Sequence, residues 1–517
     1  MCTLCSLNFL NESNGAHALV TGGATPQAIG GVTSSAGTTT PSSDNLVNGV
    51  LSGLEWTTTS LTYSFPDSID DYGYAFDFEQ EGIDPFWFRQ FSSKQQDAAE
   101  FWLDQAAEIA NLSFTRLSGS SDSEGNLRFA NNINDINGAF AYYPSTIEEG
   151  GDSWYGSLGG DPDYGDTDWY TIGHEIGHAL GLKHPHESST IGANTFNIMD
   201  LAYDHQQYSV MTYRSYQGAA ANGAGTTGNG SYSRSFMMYD IAGLQYLYGA
   251  NFTTRADDTT YTFDRTSGVM LINGQRQDDG PGNKIYQTIW DGNGVDHYDL
   301  SDFTNNLSLD LRPGEISDLD VGGFDNRAYL GDQQYAAGHI YNALQYQGDT
   351  RSLIENATGG SGNDNLQGNI ADNVLTGNDG NDVINGDAGD DRLVGGRGSN
   401  VLDGGTGDDE AVFDGDLDDF IITKTVSGYT LRKLSITDRN FDTVSNVEEF
   451  QFDDQTLTSA ELDTHLLNNV PNTATPTATV VNLWLFGVEG QVPASLTPAA
   501  LSDDDDSSDT DQFDLIA

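Results

Sequence analysis

From Gly359 the chain repeats itself every nine residues: GGSGNDNLQ, GNIADNVLT, GNDGNDVIN, GDAGDDRLV, GGRGSNVLD, GGTGDDEAV. A fixed short period constrains a fold strongly, because each unit can bury its apolar side only against its neighbours. The sixth position holds Asp364, Asn373, Asp382, Asp391, Asn400 and Asp409, and the eighth is apolar or Ala throughout. Each Gly-rich hexapeptide predicts a tight turn with free carbonyls; the next three residues predict a minimal strand carrying one core side chain. If two nonapeptides complete one coil, residues eighteen apart stack. Asp364, Asp382 and Asn400 then line one side, and Asn373, Asp391 and Asp409 the other. Carboxylates and carbonyls are hard oxygen donors suited to calcium, so all six are candidate calcium ligands. The second unit departs from the others with Ile370 and Ala371. A disordered linker has no reason to keep its apolar residue in phase over six units.

The second constraint is His174–His184, which reads HEIGHALGLKH. On a helix His174 and His178 lie one turn apart and project from the same face. Glu175 stands beside the first of them, placed to work on a water rather than on a metal. Gly181 can take the left-handed conformation that ends a helix, so the chain can turn back and bring in His184. Three neutral imidazoles with one open position predict a catalytic zinc site rather than a closed structural one. A bare HExxH is weak evidence, but the added Gly and third His match the metzincin pattern at every defined position. His186 and His205 are not at ligand spacing and are read as surface histidines.

Composition narrows the partners. The chain of 517 residues has room for two to four domains, and its 20 basic against 77 acidic residues give a net charge of −57. Such a surface repels nucleic acid and anionic membranes and favours multivalent cations. Cys2 and Cys5 are the only cysteines, too few for a disulfide framework. The CTLC pair is incidental, or closes a small local disulfide, or supplies a thiolate that masks the zinc in a latent form. No classical signal peptide and no membrane-spanning stretch is visible, so export would use another route.

Downstream of the histidines, Ser209-Val210-Met211-Thr212-Tyr213 places a Met twenty-seven residues after His184. With HEIGHALGLKH, this YSVMTY segment resembles the Met-turn of a metzincin zinc endopeptidase, specifically the serralysin group, and the nonapeptides resemble the RTX β-roll. The segment Trp290-Asp291-Gly292-Asn293-Gly294-Val295-Asp296 is similar to a further calcium turn. The resemblance implies an α+β metzincin catalytic domain, a twisted sheet plus a zinc-binding helix, followed by an all-β parallel β-roll. It further implies Tyr213 as a zinc ligand of the resting site that swings away to hydrogen-bond the oxyanion, with Met211 an apolar floor and Glu175 the general base.

Along the chain, residues 1–45 read as a flexible leader, by resemblance a propeptide, and 46–250 as the catalytic domain. Leu61–Phe65 predicts a strand, and Ser93–Gln96 a capping box opening a helix to Ile109 with Ala98, Phe101, Trp102, Ala106 and Ile109 along one side. Short strands are expected at 112–117, 127–130 and 139–143, the last as the edge that pairs with extended substrate. The zinc helix is expected over 168–180 and a closing helix over 240–248. The β-roll domain spans 251–465, with repeats at 359–412 and closing strands at 420–424, 429–437 and 444–452. An acidic tail over 466–517 is similar to an uncleaved type I secretion signal. The expectation is a secreted, monomeric zinc endopeptidase with one Zn²⁺ and several Ca²⁺, acting on proteins and peptides. Type I secretion machinery is the implied partner, and a small protein inhibitor is left open; nucleic acid binding and membrane insertion are not expected. The rival is a non-catalytic calcium-binding β-roll protein of adhesive or structural role. An RTX lipase would need a GxSxG elbow, which the catalytic region lacks.

Overall fold

The computed structural model describes residues 35–73, 83–133, 136, 138–221, 227–277, 283–434 and 440–468. Cys2, Cys5, most of the leader and the tail from 469 onward lie outside the described residues, as do residues 435–437 of one expected strand. The leader's described end carries structure: β1 (Ala36–Thr38) pairs antiparallel with β2 (Leu54–Trp56), and Asp44 caps helix α1 (Asn45–Asn48) between them.

β3 (Ser60–Ser64) and β4 (Phe88–Gln90) lead into helix α2 (Ser93–Ile109). The cap is Ser92, one residue before the expected Ser93: Ser92 Oγ accepts from the Gln95 amide at 3.3 Å, and the Gln95 side chain accepts from the Ser92 amide at 3.0 Å. Ser92 keeps the extended backbone a cap requires, which leaves Ser93 as the first helical residue. Ala98, Trp102, Ala106 and Ile109 are buried as expected, while Phe101 is half-buried.

β5 (Ser113–Arg116), β6 (Leu127–Asn132), β7 (Ala139–Ala141) and β8 (Asp152–Tyr155) complete a sheet ordered β5-β3-β6-β8-β7, with β4 paired to β6. β3, β5, β6 and β8 run parallel, and β7 is an antiparallel edge ending at Ala141. All four residues of β8 are buried, so the alternation that marks a half-exposed strand is absent from its sequence. Helix α3 (Thr167–Ala179) packs on α2, and α4 (Met238–Tyr248) starts two residues before the expected Asp240. One core joins α2, α3 and α4 through Trp102, Ile172, Ile176, Met211, Phe236 and Leu244. It continues to Tyr286, Trp290 and Tyr341, beyond residue 250.

In the repeats, successive short strands of three or six residues alternate between two sheets. Asn365–Gln367, Val383–Ala388 and Val401–Thr406 lie in a seven-stranded sheet; Val374–Thr376, Arg392–Val394 and Glu410–Val412 lie in a ten-stranded one. Pairing is parallel with a register of eighteen residues, as in Leu366 with Ile384 and Leu375 with Leu393. Leu366, Leu375, Ile384, Leu393, Leu402 and Ala411 are each 0% exposed between the sheets. A buried Leu or Ile contributes about 1.5–3 kcal/mol, and each nonapeptide supplies one such side chain to the stack. The single strand expected over 444–452 is two, Asp442–Ser445 and Glu449–Gln451, one in each sheet. Asn446, at φ 51°, turns the corner between them. Helix Ser459–Asn468 covers the end of the stack with Leu462 buried.

Candidate active site

Helix α3 starts at Asp166, whose carboxylate accepts from the Trp169 amide at 2.8 Å. Every residue from Trp169 to Ala179 is buried, His174, Glu175 and His178 among them. The helix ends as its sequence predicts. Gly181 has φ +103°, and a Cβ there would run into the Leu54 carbonyl. The Leu182 amide returns to the Gly177 carbonyl at 2.8 Å. The segment after α1 then takes hold of the returning chain: Lys183 N donates to Val50 O at 2.7 Å and Ser52 N to Gly181 O at 3.0 Å. The Lys183 amine, itself fully buried, donates to the carbonyls of Gly49 and Asn197. Burial lowers its pKa to about 7.

This route delivers His184 to the other two histidines. His184 Nε2 lies 3.1 Å from His174 Nε2 and 3.0 Å from His178 Nε2. A tetrahedral ion with bonds of 2.0–2.1 Å would set its ligand nitrogens about 3.3 Å apart, so the three rings fit a zinc-sized cation. Each Nδ1 is engaged on its outer side: His174 donates to Val210 O at 2.8 Å and His178 to Leu182 O at 2.7 Å, while His184 faces the Glu187 carboxylate at 3.1 Å. A carbonyl can only accept, so His174 and His178 carry their proton on Nδ1 and turn an Nε2 lone pair inward. Burial holds His178 down to about 4 and takes His174 and His184 well below the ordinary imidazole range. The rings are neutral and ready to bind metal.

Glu175 is 1% exposed, and its Oε2 has no hydrogen-bond partner. Burial pushes its carboxyl up to about 8. A buried unsatisfied carboxyl oxygen is costly and marks a place where something else is to be bound. The Tyr213 ring centroid stands 4.3 Å from His184 and 5.8 Å from His174. Met211 packs against α3, its Sδ only 2.4 Å from where a Cβ on Gly177 would be. The Tyr143 ring, just past β7, meets His178 edge-on at 5.4 Å.

Two histidines differ from the sequence reading. His205 is 3% exposed and packs against Tyr208; His186 is half-buried, stacked on His184 at 5.3 Å with the rings 9° apart. The Glu187 amide donates to the His184 carbonyl at 3.1 Å, a turn that keeps His186 against the site. Sequence reasoning missed Asp240, which holds the turn around Met211, and Glu187 behind His184. The signal for Glu187 was its three-residue spacing from a candidate ligand; Asp240 left none, since it acts across thirty residues of chain.

The sixth-position residues of the repeats form two ladders. Asp364 N donates to Asp382 Oδ1 at 2.8 Å and Asp382 N to Asn400 Oδ1 at 2.9 Å; on the other side Asn373 N donates to Asp391 at 2.7 Å and Asp391 N to Asp409 at 2.9 Å. The second carboxylate oxygens of Asp382, Asp391 and Asp409 are buried and have no partner. A Cβ on Gly377 would meet both Asp382 Oδ2 and the Gly395 carbonyl, and one on Gly386 both Asp391 Oδ2 and the Gly404 carbonyl, so these glycines lie against paired oxygens. Asp442 and Glu448, outside the repeats, end the ladders by accepting from Asn400 N and Asp409 N at 2.9 and 3.0 Å. In the Trp290–Asp296 segment, Asp291 and Asp296 are buried, and burial pushes Asp296 up to about 9.

Residues 250–470 match the family model described as Peptidase M10 serralysin C terminal. The metallopeptidase AprA of Pseudomonas marginalis is 35% identical over 324 residues, 61% of each chain. A serralysin of Proteus mirabilis is 33% identical over 337 residues, 61% of this chain and 60% of that one. The chain thus spans about 60% of the length of the curated relatives it matches. Among solved structures, the extracellular lipase LipA from Serratia marcescens aligns over 22% of this chain and 18% of its own, at 18% identity and a TM-score of 0.18, too slight a likeness to bear on fold or function. In its motif, in the geometry of its three histidines and in these likenesses, the chain is similar to serralysin metallopeptidases over about 60% of its length.

Proposed function

We propose that this chain is a secreted, calcium-stabilised zinc endopeptidase that cleaves proteins with broad specificity. One observation carries the reading: three buried neutral imidazoles turn their Nε2 atoms to a common point, beside a carboxyl oxygen that nothing in the protein satisfies. His174, His178 and His184 would hold one zinc, with Tyr213 as a further ligand at rest. Zinc supplies Lewis acidity there, polarising a peptide carbonyl and making a water a nucleophile near neutral pH. Glu175 takes the proton of the attacking water and passes it to the departing amine, so that the peptide bond is replaced by a carboxylate and a free amine. Tyr213 donates a hydrogen bond to the oxygen that gains charge. Edge strand β7 is placed to pair with an extended peptide.

The division at 46–250 and 251–465, the leader as propeptide and the tail as a type I secretion signal belong to the same proposal. So does the stack of repeats as a parallel β-roll that takes calcium through Asp364, Asn373, Asp382, Asp391, Asn400 and Asp409, with a further site at the Trp290–Asp296 turn. Unpartnered carboxylate oxygens among carbonyls support that reading. Among the described residues no helix is long and apolar enough to cross a membrane.

Casein hydrolysis by the calcium-refolded chain, wild type beside Glu175→Ala with zinc quantified in both, tests the proposal. Zinc in each and turnover in the wild type alone is the expected result. A folded, zinc-loaded wild type without activity, after removal of the leader, would move the assignment to a calcium-binding adhesive or structural protein.

A further inference from the structure

The carboxylate of Asp240 sits in the first turn of α4, 0% exposed. Its Oδ1 accepts from Ser209 Oγ at 2.6 Å, and its Oδ2 accepts from the amides of Val210 at 2.6 Å and Met237 at 2.9 Å. Ser209 Oγ in turn accepts from the Met211 amide at 3.0 Å. The peptide between Val210 and Met211 is therefore gripped at its N–H end. At its other end the Val210 carbonyl accepts from His174 Nδ1 at 2.8 Å and from Tyr170 Oη at 2.7 Å. The direction in which that carbonyl points is fixed by the plane of this peptide, and Asp240 fixes the plane.

We propose that Asp240 is a positioning residue for the metal ligand His174, acting through Ser209 and the Val210–Met211 peptide. The inference rests on the zinc reading above and adds a residue to it. His178 and His184 draw their support from Leu182 and Glu187, inside their own loop, whereas the support of His174 is on a segment thirty-six residues away. That segment is held at Thr212 by Asp204 and at Ser209 and Val210 by Asp240. If the peptide plane rotates, the imidazole loses the acceptor that sets both its tautomer and its tilt. Removing such outer partners lowers metal affinity or activity roughly 10–100-fold.

The test uses the full chain, refolded with calcium and loaded with zinc. Asp240→Asn keeps the shape but turns an amide donor toward groups that are themselves donors. Zinc transfer to a chromogenic chelator should be roughly 10–100-fold faster than in the wild type, with kcat lowered by a similar factor and KM within about twofold. Ile241→Ala is the control for lost stability alone, since Ile241 is a core residue of α4 that lines a cavity with Phe101 and Ile289 and makes none of the hydrogen bonds above; its zinc release should match the wild type. If Asp240→Asn fails to fold, Ser209→Ala, which removes both the donor to Asp240 Oδ1 and the acceptor of the Met211 amide, is read in the same two assays. Zinc release and kcat within twofold of wild type, or changes no larger than those of Ile241→Ala, overturn the role of Asp240. A wild type that binds no zinc overturns the zinc reading itself, and this inference with it.

Discussion

The amide of Asp364 donates to the carboxylate of Asp382, eighteen residues further on, at 2.8 Å, which leaves the other oxygen of Asp382 buried without a partner. Burial pushes Asp382 and Asp391 up to about 7, against roughly 3.9 for an exposed Asp. Between those values the folded protein binds protons that the unfolded chain has released, so the contribution of these two groups to metal-free stability falls as pH rises from about 4 to about 7. Calcium requires the carboxylates ionised and reverses the order. The calcium-free protein should therefore melt at a higher temperature at pH 5 than at pH 8, and the calcium-loaded protein at a higher temperature at pH 8. Circular dichroism melts at both pH values decide it; a calcium-free midpoint that is flat or rises with pH would contradict the account.

The fit of α3 on its neighbours gives a second expectation. A Cβ on Gly177 would come within 2.4 Å of Met211 Sδ, and one on Gly173 within 2.3 Å of the Trp102 ring. Both sites are fully packed, so relief requires the helix or the Met211 turn to move. Gly177→Ala and Gly173→Ala should each destabilise the protein by about 1–3 kcal/mol, the usual cost of overpacking, although Ala is the better helix former. Urea unfolding measures it, and a neutral or stabilising result for either would show that the packing yields.

Much of this was legible in the sequence, for identifiable reasons. HEIGHALGLKH dictates its own geometry, because helical spacing and one left-handed glycine suffice to bring three rings together. The nonapeptide period dictates the eighteen-residue register for the same reason: the contacts are with the nearest neighbours of a repeat. What was hidden depends on contacts between distant segments. β8 shows no alternation because it is buried on both faces. The segment 444–452 reads as one strand until Asn446 turns it from one sheet into the other. Buried His205 and half-buried His186 looked like surface residues because nothing local in sequence says what lies over them. Asp240 belongs with these, its partners being thirty residues away.

Tyr213 offers a third expectation. Its ring leans on His184 at 4.3 Å and on His186 at 5.0 Å, so Tyr213→Phe preserves that packing and removes only the hydroxyl. Loss of one oxyanion donor costs roughly a hundredfold to a thousandfold in kcat, while zinc content, carried by three histidines, should be unchanged. Steady-state kinetics with metal analysis is the check; turnover equal to wild type would exclude the hydroxyl from the reaction.

The ladder ends supply the last. Glu448 accepts from the Asp409 amide at 3.0 Å, the same place in the pattern that Asp409 holds for Asp391. A Cβ on Gly404 would meet Asp409 Oδ2 and the carbonyl of Asn446, just as one on Gly377 would meet Asp382 Oδ2 and the carbonyl of Gly395. Two residues outside the repeat thus reproduce its paired oxygens. The proximity is unfavourable without a cation: burial raises the Asp409 carboxyl, and the neighbouring Glu448 raises it further. Glu448→Gln keeps the amide's acceptor and removes the charge. In calcium-free buffer it should be neutral or slightly stabilising, since a like charge beside Asp409 is gone. In calcium it should be less stable than the wild type, since a hard anionic donor is lost. The difference in midpoint between calcium-free and calcium-loaded protein should accordingly shrink relative to the wild type; an undiminished difference would mean that the metal-binding series stops inside the repeats and that Glu448 serves only to close the hydrogen-bond ladder.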